Sequence, residues 1–336
     1  MSNYSFTEGT FGDYQTIILS NDKTGAKIEV ALRGATALKY LIPFNGAMLD
    51  ILDGFATPQE MNESKGARCW IMAPFANRIP DGKYIFNGQE LMLDPVPPRN
   101  QVIHGFLSNI DYDLYKVDKT ENSIEATLVN RKIRKGVIKG YPFSLDVYVK
   151  FKLEEDKLSV NITAENIGDE PAPFGTGWHS YLKTGNGGIE NLVLTADAEK
   201  TIVVNSNLIP FEGEKAYGNI GNFPALDFRG GRLPENRILK DKILDNAFSE
   251  LKKDKDGYSR TSIHDLSTGL TLSIFQRGGI VLVFTGDSLP GRKRNSVAIE
   301  PMQFITNAFN RPEYKDEITV QPGKNSVFEF GIEISR

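Results

Sequence analysis

The chain is poor in the residues from which many sites are built. Its 336 residues include one cysteine, Cys69, and three histidines, His104, His179 and His264. A lone cysteine excludes an internal disulfide and a thiolate metal cluster. No apolar run approaches the roughly 20 residues needed to span a bilayer. The N-terminal stretch MSNYSFTEGTFGDYQ lacks the charged start and apolar core of a signal peptide. A soluble, cytoplasmic protein without a membrane partner is expected. Net charge is only −4 with both signs mixed, which leaves no basic footprint for nucleic acid. G-x-S-x-G, a P-loop, a dinucleotide glycine motif ahead of a helix and H-E-x-x-H are missing too. No histidine and carboxylate pair has ligand spacing, so neither a metal nor a cofactor is expected.

Helical periodicity is equally scarce, and what fills the chain is alternation. Phe143, Leu145, Val147, Val149, Phe151 and Leu153 fall on one face of a strand. Glu154-Glu155-Asp156-Lys157 then turns the chain, and Leu158, Val160, Ile162 and Ala164 return along a second strand. Ile28, Val30 and Leu32, then Ile124, Ala126 and Leu128, repeat the pattern. So do Leu270, Leu272 and Ile274, the run from Ile280 to Phe284, and Phe328, Phe330, Ile332 and Ile334. The region from Leu208 to Asp241 has no 3.6-residue stripe and reads as long loops with short strands. With 31 glycines and 17 prolines spaced as turn punctuation, the fold class is all-β. No low-complexity linker or repeat divides the chain, so residues 1–336 are expected to form a single large antiparallel β-sandwich domain with a concave face for a ligand.

The stretch from Cys69 to Gly105 combines a scaffold with polar groups at its margins. Asn87-Gly88 between alternating runs predicts a tight hairpin, because a type I′ turn needs φ > 0 at both central residues. Asn77-Arg78 precedes this hairpin and its Pro80-Asp81-Gly82 turn, and His104 follows it at an expected strand end. Further on, His179 sits in Gly175-Thr176-Gly177-Trp178-His179-Ser180-Tyr181, where the glycines permit close backbone approach. Trp178 and Tyr181 offer rings suited to stacking on a ligand. A histidine there can act as a general acid near neutral pH, or be a satisfied core residue. Glu300 ends the apolar run Val297-Ala298-Ile299, and Pro301 should place it at the last position of a strand. Asp245 lies among apolar neighbours, where it could also cap a turn. His264 reads as a solvated residue in a turn. The basic run Arg131, Lys132, Arg134 and Lys135 reads as a solvated loop.

These pieces occur in a recognisable order: Asn77-Arg78-Ile79 and the Asn-Gly hairpin, His104-Gly105, Gly177-Trp178-His179-Ser180-Tyr181, Leu244-Asp245-Asn246-Ala247-Phe248, Ile299-Glu300-Pro301-Met302 and Asn307-Ala308-Phe309. In them the chain resembles the aldose 1-epimerase (galactose mutarotase) family over nearly its full length. The resemblance implies a large antiparallel β-sandwich of the galactose mutarotase type. It also implies an isomerase interconverting the α and β anomers of a hexose such as galactose or glucose. Carried over by residue, Glu300 is the general base and His179 the general acid, on opposite sides of the hemiacetal. Arg78, His104 and Asp245 bind sugar hydroxyls, and Asn77 matches the family's Asn-Arg pair. The partner is then a small-molecule aldohexose, and the protein a monomer or homodimer. Departures from the family pattern at Ser180, Asn246, Ala247 and Met302 fall on residues that choose among hexoses. A non-catalytic sugar-binding protein on the same scaffold and a mutarotase for a modified hexose are the alternatives.

Overall fold

Alternation becomes structure most directly in the pair of strands Leu145–Leu153 and Lys157–Asn166. The second buries every other residue without exception, as period-2 geometry requires when one face meets a core. Val149 pairs with Ile162, Phe151 with Val160 and Leu153 with Leu158. Glu154 closes the turn by donating its N–H to the Lys157 carbonyl at 2.8 Å. Each fully buried Val, Leu or Phe of this kind contributes about 1.5–3 kcal/mol.

The computed structural model describes residues 3–289 and 291–336. Strands account for 46% of the chain and helices for 11%, so the class is all-β. An eight-stranded sheet runs, in order, Leu192–Ala196, Ser259–Asp265, Thr271–Gln276, Asn325–Ser335, Lys157–Asn166, Leu145–Leu153, Ile124–Ile133 and Asp113–Lys119. A second runs Tyr217–Asn219, Ala198–Ile202, Asp245–Leu251, Ile280–Phe284, Val297–Met302, Gly177–Trp178 and Ile71–Met72, with Tyr181–Leu182 also pairing with Val297–Met302. A five-stranded antiparallel sheet from Tyr4–Phe11 to Ala47–Asp50 precedes both. The two large sheets face each other. Trp178 of one stacks on Phe330 of the other, ring centroids 5.7 Å apart, and one apolar cluster joins Val149, Val160 and Phe330 to Val281, Val283 and Ile299. No helix among the described residues is long and apolar enough to cross a membrane.

Several local expectations need correction. Val297–Met302 does not stop before Pro301. It continues to Met302, which pairs with Ile280. Ile299 and Gln303 donate their N–H groups to Ser180 and Thr176 at 3.0 and 2.8 Å. Residue 301 faces the same edge, so the N–H that proline lacks falls opposite Trp178, the last residue of Gly177–Trp178, where the pairing breaks before Tyr181–Leu182. A proline that removes no needed bond is tolerated inside a sheet.

His264 lies within the strand Ser259–Asp265, its Nδ1 2.9 Å from Thr271 Oγ1, rather than in a turn. The region from Leu208 to Asp241 holds the strand Tyr217–Asn219 and several single helical turns, such as Gly213–Ala216 and Pro234–Arg237. One turn is too short to show a 3.6-residue period. Arg131 and Lys132 are the exposed end of Ile124–Ile133, while Arg134 and Lys135 bond to Asp146 and Glu170 at 2.7 and 2.9 Å. These last charges are paired on the surface rather than free in a loop. The Asn87-Gly88 hairpin formed as expected, with φ values of 50° and 76° between Lys83–Phe86 and Gln89–Met92.

Candidate active site

Every residue of Val297–Met302 is buried, which explains its apolar composition and singles out Glu300. A carboxylate is seldom buried without a partner or a task. Glu300 is 2% exposed and pairs across the sheet with Leu282, while Asp245 pairs with Phe284 two residues along. Directly paired side chains share a face, as do residues two apart. Leu282, Phe284, Asp245 and Glu300 therefore line the same side of the second sheet, the side turned away from the sandwich core.

His179 reaches this surface through backbone bonds on both sides. Its N–H donates to Trp70 and its carbonyl accepts from Cys69, each at 3.0 Å, while Ser180 receives the Ile299 N–H. Gly177 makes the approach feasible, because a Cβ there would meet the Pro301 carbonyl at 2.7 Å. The rings of Trp178 and Tyr181 are buried and are not the ligand-stacking surfaces that the sequence suggests. Trp178 is core, and Tyr181 stacks on the His179 imidazole at 5.0 Å and 18°, with the Arg68 guanidinium 5.2 Å from the Tyr181 ring centroid.

The margins of the hairpin supply the opposite wall. Asn77 adopts φ 59°, and its carboxamide oxygen accepts from the Arg78 backbone N–H at 2.9 Å and from Nη1 at 3.0 Å. Asn77 thus aims the guanidinium. Its carbonyl accepts the His104 N–H at 2.9 Å, and the His104 ring meets that of His179 edge-on at 5.1 Å. Gly105 anchors the turn, since a Cβ on it would lie 1.9 Å from the Ala73 carbonyl oxygen.

All six residues singled out from sequence converge. Asn77, Arg78, His104, His179, Asp245 and Glu300 line one cavity of about 150 Å³, with Ile103, Leu282, Phe284 and Ser288. Sequence reading missed the last four. Leu282 and Phe284 look like ordinary core residues until the register shows which face they occupy, and Ser288 carries no local signal. The central pair also differs from expectation. His179 Nε2 and Glu300 Oε1 stand side by side, 3.3 Å apart, not across a pocket from one another. The two oxygens of a hemiacetal share one carbon, so adjacent groups suit them.

Burial controls the charge states. It pushes His179 down to about 3, with Arg68 and Arg78 adding to the effect against a bond to its own backbone. It also pushes His104 well below 6.5, aided by His179, Arg99 and Arg78. Glu300 is raised well above 4.5 by burial and then by Asp245, against the pull of Arg78. Asp245 is raised by burial and lowered by Arg78. Glu300 Oε2 and His104 Nδ1 are buried without a partner among the described residues. Unsatisfied buried atoms beside a cavity are costly unless a ligand uses them. The described residues contain no group of three His, Cys, Asp or Glu side chains arranged to hold a metal.

Comparison with known proteins agrees with this architecture. The family model for aldose 1-epimerase matches residues 15–333. The Escherichia coli aldose 1-epimerase is 24% identical over 332 residues, covering 93% of this chain and 92% of its own. An uncharacterized Escherichia coli protein, YihR, is 28% identical over 243 residues, 71% of each chain. The crystal structure of a galactose mutarotase-like protein from Clostridium acetobutylicum superposes with a TM-score of 0.79 at 15% identity, over 99% of both chains. The chain belongs to the aldose 1-epimerase family, a family of isomerases, and its fold is the β-sandwich of the galactose mutarotase type.

Proposed function

We propose that the protein is a mutarotase, interconverting the α and β anomers of an aldohexose such as galactose or glucose, and that its whole chain works as one domain. The observation that carries this reading is the 3.3 Å contact between His179 and Glu300 in a cavity where Glu300 Oε2 has no protein partner. Ring opening needs a proton removed from the anomeric hydroxyl while another reaches the ring oxygen. Glu300 takes the first and His179 gives the second, each transfer contributing about 10²–10⁴-fold.

Burial raises Glu300 and lowers His179, which favours a carboxylic acid beside a neutral imidazole. Shifting that one proton from Glu300 to His179 creates the base and acid that opening requires. Once the ring has opened, the pair is again acid and neutral imidazole. Rotation about C1–C2 then presents the other face of the aldehyde, and the same two groups close the ring with their roles reversed. Neither a cofactor nor a covalent intermediate enters. Arg78 and Asp245 hold sugar hydroxyls by charge-assisted hydrogen bonds, and His104 stands beside His179 to stabilise charge developing at the ring oxygen.

A neutral hexose suits the cavity better than a phosphorylated one. Arg78 is the one Arg or Lys lining it among the described residues, and Glu300 and Asp245 already face it. A binding-only role fits less well, because it leaves a buried carboxylate of raised pKa without use. The test is polarimetry or NMR on freshly dissolved α-D-galactose and α-D-glucose. Anomer exchange should be faster than the spontaneous rate. No acceleration across a set of aldoses would end the mutarotase reading.

A further inference from the structure

Behind the cavity, in the proline-rich segment between the hairpin and His104, Arg99 is a cation without a carboxylate. Its Nε donates to the Val96 carbonyl at 3.3 Å and its Nη1 to the Ile103 carbonyl. Nη2 is buried with no hydrogen-bond partner among the described residues, and no Asp or Glu among them pairs with the guanidinium. Burial pushes Arg99 down to about 10, so it stays charged at neutral pH. A largely buried cation without a counter-ion is costly to keep.

Its contacts reach both histidine-bearing segments. The bond to Ile103 fixes the carbonyl immediately before His104, whose ring lines the cavity. The guanidinium carbon also lies 5.1 Å from the centroid of the Trp70 ring, a cation–π contact. The Trp70 carbonyl in turn accepts the His179 N–H at 3.0 Å. One side chain thus ties together the two backbones whose imidazoles meet edge-on. Resting on the mutarotase assignment above, we propose that Arg99 is a positioning residue for the reaction, setting the spacing of the two imidazoles and steering the Glu300 proton onto His179 rather than His104.

The steering follows from which charges are answered. His104 is acted on by His179, Arg99 and Arg78, and His179 by Arg68 and Arg78. Arg78 acts on both rings and does not discriminate between them. Arg68 is paired with Asp53 at 2.6 Å, and a carboxylate so close offsets much of the field of a guanidinium. Arg99 has no such offset, so its field disfavours an imidazolium at His104 more than at His179. His179 also has Glu300 at 3.3 Å. A proton leaving Glu300 is thereby kept on the ring that serves the sugar's ring oxygen, and His104 remains a neutral hydrogen-bonding group.

The test compares the native chain with Arg99→Met, which keeps an apolar stem against Trp70 without the charge, and Arg99→Lys, which keeps the charge without the fork. Imidazole C–H resonances are followed by NMR from pH 4 to 8. His264, on the other large sheet, serves as the reference for a native fold. Anomer exchange of α-D-glucose and α-D-galactose is measured on the same samples. Arg99→Met should raise the His104 midpoint by about one pH unit or more and lower kcat by about ten-fold. The acid limb of its kcat/KM profile should move up with the His104 midpoint. Arg99→Lys should keep His104 as in the native chain and recover part of kcat. The proposal is overturned, with the mutarotase assignment intact, if the native chain is active and His104 in Arg99→Met titrates as it does there. Equal slowing by both variants with no change at His104 would likewise reduce Arg99 to a purely structural residue. A native chain that leaves every aldose at its spontaneous rate overturns the mutarotase assignment and the steering role together.

Discussion

Replacing Glu300 with glutamine should slow anomer exchange and strengthen the fold at once. Glu300 is 2% exposed, and burial and Asp245 hold its carboxyl well above the ordinary 4.5. In the unfolded chain it returns to that ordinary value. Between the two values the folded protein binds a proton that the unfolded chain does not. Stability from this group is therefore complete below 4.5 and is lost as pH rises through the folded value, at about 1.4 kcal/mol per pH unit. Glutamine has no such dependence. The variant's advantage should be near zero at pH 4.5 and grow as pH rises from there toward the raised folded value. His179 and His104 change in the opposite sense. Their lowered values make stability rise with pH up to 6.5. The His104 contribution is common to both proteins, whereas His179 contacts residue 300 and is coupled to it. Loss of the base should meanwhile cost about 10²–10⁴-fold in rate. Urea denaturation at a series of pH values from 4.5 to 7, with polarimetry on the same samples, measures both effects. A stability difference that stays constant across the series would refute the burial argument, and a variant with native rates would refute the assignment of the base.

Two other perturbations probe the frame. Gly105→Ala drives a Cβ to 1.9 Å from the Ala73 carbonyl oxygen at a residue with φ 66°, so it should cost ~3 kcal/mol or more, read as a lowered urea midpoint. Asp53 is 6% exposed and accepts from Arg68 and Arg292 at 2.6 Å and from Ser296 at 2.7 Å. Asp53→Asn leaves the buried Arg68 uncompensated and should cost about 3–5 kcal/mol. Because Arg68 backs the Tyr181 ring that stacks on His179, kcat should fall with KM little changed; an unaltered kcat would separate that network from the site.

Alternation and turn chemistry made the fold class readable, because one buried face per strand leaves a period-2 trace and Asn87-Gly88 accepts few conformations other than a hairpin turn. The six residues that line the candidate cavity were singled out through short motifs in a fixed order. What the sequence concealed depends on register. Leu282 and Phe284 show their face only once Glu300 and Asp245 are paired with them. Pro301 pointed to a strand end because the pairing that carries the strand past it to Met302 has no local trace. Tyr181 and Trp178 looked like ligand platforms, since nothing local distinguishes a ring that faces solvent from one that faces a core. The spacing of His179 and Glu300, 121 positions apart in the sequence, is a tertiary quantity with no local trace.

The break in pairing opposite Pro301 has a consequence for how such a site can diversify. Glu300 lies on a strand and His179 between the two short strands that pair with it, whereas Arg78 and His104 hang from connecting segments. Changes of length or composition in those segments can reshape that part of the cavity while the separation of His179 and Glu300 stays set by paired backbone. The shape of the cavity and the spacing of its central pair are therefore set by different parts of the molecule, and one can drift without moving the other.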